Sequence, residues 1–100
     1  MPRKNIRFSS EALAEAEAAQ LWYVERSLSA GKAFLEELSH AIERVSESPE
    51  QWPRYIEGTR RYVFHRFPFS LVYRDMGNAI VVVAVVYGKR KPGYWKSAEK

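Results

Sequence analysis

The chain contains no cysteine. Disulfides and thiolate-bound metal are therefore excluded, and a reducing compartment is compatible with the sequence. His40 and His65 are the only histidines, too few to build a structural zinc site without thiols. The five glycines, at positions 31, 58, 77, 88 and 93, are scattered, so no glycine-rich phosphate loop can be drawn. Long apolar runs are also missing. The longest, Ala79 to Tyr87, is far shorter than the roughly 20 residues a bilayer span needs. The opening Met1-Pro2-Arg3-Lys4-Asn5 has no apolar stretch behind it, so a secretory leader is not expected. These absences point to a soluble cytoplasmic protein, with no cofactor and no membrane among its partners.

Acid is the next scarcity, and it is local. Residues 58–98 carry eight Lys/Arg but a single acid, Asp75, whereas residues 9–50 carry nine Glu against Arg26, Lys32 and Arg44. The net charge of +4 thus divides into a front half near −6 and a back half near +7. A polyanion is attracted to the back half and repelled by the front. One hundred residues, 46% hydrophobic and 14% aromatic, suit one packed domain spanning 1–100.

The pattern along the chain predicts β-α-α-β-β-β. Asn5-Ile6-Arg7-Phe8 alternates as a short strand with Ile6 and Phe8 inward. Ser9 or Ser10 caps a helix running to about Leu28, with Ala12, Ala16, Ala19 and Tyr23 on one stripe. Ser29-Ala30-Gly31 reads as the break, with Ser29 capping a second helix. In that helix Phe34, Leu38, Ala41, Ile42 and Val45 form one apolar face, and Glu36, Glu37, Glu43 and Arg44 lie off it. Pro49 ends it. After a loop carrying Trp52 and Tyr55, strands are expected at 60–67, 69–75 and 79–87, the last apolar on both faces and so central. Asp75-Met76-Gly77-Asn78 is a hairpin turn. The expected fold is α+β: an antiparallel helical hairpin packed on a small, mainly antiparallel sheet. Phe34, Leu38, Ile42, Leu71, Ile80, Val82 and Ala84 are the expected core, and Trp22 and Trp95 are read as buried too.

For chemistry, His40 lies off the apolar face and reads as solvated. His65, between Phe64 and Arg66, reads as a surface or edge residue without an identified partner. What remains is the cationic set Arg60, Arg61, Arg66, Arg74, Lys89, Arg90 and Lys91. Strand ends bring several of these to one end of a small sheet, where guanidinium groups can hold phosphates. Tyr87 and Tyr94 are near enough in sequence to stack on a base or handle a proton.

Taken in order, these segments resemble the RelE/ParE toxins of bacterial type II toxin–antitoxin systems. The resemblance rests on Ala16-x-x-x-Gln20-Leu21-Trp22-Tyr23, on Ala33-Phe34-Leu35-x-x-Leu38-x-x-Ala41-Ile42 closing with Ser48-Pro49, and on Arg60-Arg61. It continues through Arg66-Phe67-Pro68-Phe69-Ser70-Leu71-Val72-Tyr73-Arg74 and Arg90-x-Pro92-Gly93-Tyr94-Trp95. It implies a growth-inhibiting protein neutralised by a cognate antitoxin that wraps a disordered segment around it, the two forming a hetero-oligomer. RelE-like members cut mRNA on the ribosome with arginine, lysine and tyrosine. On this chain that pattern implies Arg61 and Arg90 stabilising the phosphate, Tyr94 handling a proton and Lys89 assisting. ParE-like members poison DNA gyrase and are not nucleases; for them Arg60, Arg66, Arg74, Lys89 and Lys91 would be target contacts. The helical hairpin and the 67–74 strand resemble ParE more closely. Tyr87 stands where many relatives carry a histidine, and the only cation in the loop 49–59 is Arg54. Both favour the gyrase reading over the ribosome-dependent nuclease.

Overall fold

A computed structural model of the chain describes residues 3–88. Strand β1 (Asn5–Phe8) leads into helix α1 (Ser10–Arg26) and helix α2 (Leu28–Glu47); a 3₁₀ turn (Ile56–Gly58) precedes strands β2 (Arg60–Val63), β3 (Phe69–Asp75) and β4 (Ala79–Tyr87). The sheet order is β1-β4-β3-β2. β1 runs parallel to β4, and β4, β3 and β2 form an antiparallel meander. The parallel pair requires a crossover, which the helical hairpin supplies. This is the expected α+β arrangement, with β4 central. Among the described residues no helix is long and apolar enough to cross a membrane.

Ser9 caps α1 by accepting the Ala12 N–H at 3.0 Å. Ala12, Ala16 and Ala19 are buried against the sheet, and their small side chains let the helix approach it closely. The break between the helices falls at Ser27, not at Ser29–Gly31. Ser27 alone adopts extended backbone; its N–H closes α1 on the Tyr23 carbonyl and its Oγ caps α2 by accepting the Ala30 N–H. Gly31 therefore lies inside α2. A Cβ there would come 2.2 Å from Val24 Cγ2, so the glycine serves helix–helix contact rather than chain reversal.

The main core joins Phe34, Leu38, Ala41 and Val45 of α2 to Tyr62, Leu71, Tyr73, Ile80, Val82 and Val85 of the sheet. Ile42 is only half-buried at its margin. Tyr73 is fully enclosed; its hydroxyl donates to the Pro49 carbonyl at 2.6 Å, and burial raises its pKa well above the ordinary tyrosine value. Ala84 is buried, but not in this core. The register pairs Val72 with Ala84 and Tyr73 with Val82, skipping Val83. This bulge puts Val83 and Ala84 together on the far face of the sheet, with Val72 and Val86.

Trp22 is also not a core residue; it is 49% exposed. Adjacent helix positions point about 100° apart, and Tyr23 takes the inward one, stacked on Phe34 at 5.4 Å. Trp22 instead lies edge-on to Tyr23 at 5.0 Å, with the Arg26 guanidinium 3.4 Å above its ring. Trp95 lies outside the described residues.

Candidate functional site

The cations separate into two ends of the sheet. Arg60 pairs with Tyr73, which places Arg60, Arg61 and Arg74 at one end of β2–β3. Arg66, in the turn between those strands, is at the other end. Arg60 and Tyr62 share the helix-covered face, whereas Arg61 points to the far face, since successive strand residues alternate. The register also sets Arg7 level with Arg74, each opposite Val81.

Three of these guanidinium groups organise the loop before β2. Arg60 Nη1 donates to the Trp52 carbonyl at 2.8 Å. Arg74 Nη1 donates to the Glu57 carbonyl. Arg61 lies 4.6 Å above the Tyr55 ring and is otherwise exposed. The loop they hold is tight: Tyr55 N–H donates to the Thr59 carbonyl, and Thr59 Oγ1 donates to the Ile56 carbonyl at 2.6 Å. Glu57 takes a left-handed φ of 56° beside Gly58 at 74°.

Arg66 belongs to a different assembly. Glu37, on α2, is only 8% exposed, and its carboxylate accepts the N–H groups of both His65 and Arg66. Arg66 Nε lies 3.8 Å from the same carboxylate. Because these two N–H groups turn toward the helix, they cannot extend a ladder. β2 accordingly stops at Val63 rather than at residue 67, and Glu37 is buried where the apolar pattern placed it outside. His40 and His65 are exposed beside this assembly, lining a shallow basin with Glu36, Arg44 and Arg66.

An apolar groove of about 590 Å³ opens between α1 and the ends of β3 and β4. Ala18, Ala19, Trp22 and Tyr23 form one wall; Phe69, Val85 and Tyr87 form the other. Tyr87 packs edge-on against Phe69 at 5.6 Å. Glu15 reaches across, and its Oε1 accepts the Val85 N–H at 2.9 Å. Among the described residues no group of His, Asp and Glu is arranged to hold a metal ion.

A family model described as the ParE toxin of the type II toxin-antitoxin system, parDE, matches residues 6–92. The chain belongs to the ParE toxin family. It also resembles a solved chain titled "Chromosomal ParDE TA system from P. aeruginosa", with a TM-score of 0.73 and 21% identity over 85% of this chain and 96% of that one. At that identity the likeness speaks for the fold. No curated protein matches the chain.

In this ParE-family protein, Lys89, Arg90 and Lys91 fall inside the matched segment, Tyr94 beyond it, and all four lie outside the described residues. Two carboxylates that accept backbone N–H groups across the fold are not legible in the sequence. Glu15 and Glu37 look like solvated helix residues, because what recruits them is backbone N–H groups distant in sequence. The only trace is positional: Glu37 stands three residues after Phe34, at the border of the apolar stripe.

Proposed function

We propose that this type II toxin inhibits growth by acting on DNA gyrase and that a cognate antitoxin neutralises it. The observation that carries this reading is the ParE family match, which takes in the helical hairpin and all four strands. Arg60, Arg61, Arg66 and Arg74 act as structural and target contacts rather than as proton-transfer groups. The ties of Arg60 and Arg74 to loop carbonyls support a structural share in the role of those two. Lys89 and Lys91 belong with them as cations the target meets.

The antitoxin docks on the acidic helical half, where basic residues steer encounter and apolar burial supplies affinity. Purified protein added to gyrase and relaxed plasmid should block supercoiling, and Arg61→Ala should weaken inhibition without abolishing it. The alternative target, mRNA on the ribosome with Arg61, Arg90 and Tyr94 as the catalytic set, predicts another result. There, a premade message is cut in a purified translation system, and Arg90→Ala abolishes cutting. Cut message with unimpaired gyrase overturns the gyrase reading.

A further inference from the structure

We infer that Arg7, Arg74 and Arg61 form one line of cations on the far face of the sheet that holds the phosphates of duplex DNA. This deepens the gyrase reading above, on which its place in toxicity rests, by naming DNA as what these arginines touch. The line exists because β1 pairs with β4. Ile6 and Phe8 pack against the main core, so Asn5 and Arg7 turn to the opposite face, and both are exposed. Arg7 and Arg74 are both register partners of Val81, which packs against the far-face cluster. Their backbones therefore lie about 10 Å apart, two strand spacings. Arg61, opposite Val72 on β2, continues the line on the same face and is exposed. The line thus runs from one side of the sheet to the other.

Guanidinium groups suit phosphate oxygens, and contacts of this kind fix position without reading sequence. Arg74 is anchored: its Nη1 donates to the Glu57 carbonyl, which holds a positive charge between the two exposed arginines. Among the described strand residues of this face there is no acid, and the adjoining loop brings Glu57. The exposed Asn5, two residues before Arg7, adds a side-chain amide of the type that commonly bonds phosphate. Tyr55 decides between duplex and single strand. Its ring packs against the Val72 cluster and carries the Arg61 guanidinium 4.6 Å above it, so it is already covered. A single strand is held by bases stacked on open aromatic faces. A duplex instead keeps its bases closed and offers a phosphate about every 3.4 Å of axis on each strand. A row of cations over a covered ring suits the duplex backbone.

The test uses the full chain, without gyrase or antitoxin, and a fluorescently labelled random-sequence DNA duplex followed by anisotropy across a salt series. Each phosphate neutralised adds about 0.9 to the steepness of log affinity against log salt. Three contacts give at least about 2.7, an affinity about 40-fold lower at about 200 mM than at about 50 mM salt. Arg7→Ala and Arg61→Ala should each reduce the steepness by about 0.9, and the two together by about 1.8. Arg7→Lys should keep it at the wild-type value, because the charge is retained. Lys32→Ala, at an exposed cation on α2, should leave it unchanged. Single-stranded RNA of the same length should bind more weakly than the duplex.

Absence of duplex binding at about 50 mM salt, or a wild-type steepness below about 1.8, overturns the inference. Arg7 and Arg61 variants that leave the steepness unchanged overturn it too, as does tighter binding of the single-stranded RNA. Should Arg7→Ala unfold, as circular dichroism would show, the wild-type steepness and Arg61→Ala decide. A supercoiling assay run beside these titrations separates the two readings. Inhibition of gyrase by a toxin that binds no duplex refutes the DNA contact and keeps gyrase as the target. Duplex binding without inhibition does the reverse.

Discussion

Single residues set the tolerances of this fold, and two can be tested against their usual propensities. Gly31→Ala would ordinarily favour a helix by about 1 kcal/mol. Here the new Cβ meets the stiff, β-branched Val24, so a net loss of about 1–3 kcal/mol is expected in urea denaturation. Glu57 shows the opposite case. Its φ of 56° costs a non-glycine residue roughly 1–2 kcal/mol, part of which glycine returns as chain entropy. Glu57→Gly should therefore leave stability unchanged or raise it by up to about 1 kcal/mol, since the carbonyl that Arg74 binds is retained. Neither effect is readable from the sequence. A glycine between two helices looks like a break, and only the distance to Val24 shows that it is a contact.

Elements are joined by charged side chains that reach backbone or each other across long sequence separations. Glu37→Ala removes the acceptor for two N–H groups and should cost about 1–3 kcal/mol, with faster amide exchange at His65 and Arg66. Glu37→Gln keeps an acceptor and should cost less. At the opposite side, Lys4 Nζ bonds both oxygens of Asp75 at 2.9 and 3.0 Å, tying the entry of β1 to the β3–β4 turn. The Lys4 hydrogen bond, opposed by burial and aided by the Gly77 N–H, holds the Asp75 carboxyl below its ordinary value of 3.8. A carboxyl with a depressed folded pKa contributes stability above its unfolded pKa and loses it as pH falls through the folded one. The wild type should thus lose stability below about pH 4 more steeply than Asp75→Asn, as measured by denaturant midpoints across acid pH. β3 and the apolar face of α2 were legible because each repeats a short-range period, and β4 because it is one continuous apolar run. The end of β2 was not, because Glu37 sets it from outside the strand.

At the scale of the whole molecule, the helical hairpin and the meander share one core whose centre is more sensitive than its margin. Leu38→Ala, at a buried position, should cost roughly 2–5 kcal/mol, and Ile42→Ala distinctly less because it is half-buried. Thermal denaturation of the two variants side by side checks the order. The same arrangement separates charges that the sequence groups together: Arg60, Arg61 and Arg74 at one end of the sheet, Arg66 at the other beside α2.

Composition and periodicity alone determined the absence of thiol chemistry, the acidic and basic halves and the α+β order. These are properties of types and spacing, carried within a few residues of one another. Tertiary structure decided the rest: which face Ala84 occupies, why Gly31 is a glycine, why Trp22 stands outside, and which carboxylates close the sheet. Each of these depends on atoms that meet only once the chain has folded. A bulge of one residue reverses a strand's faces, and a helix carboxylate finds a backbone donor 70 residues away. No local pattern encodes such a meeting.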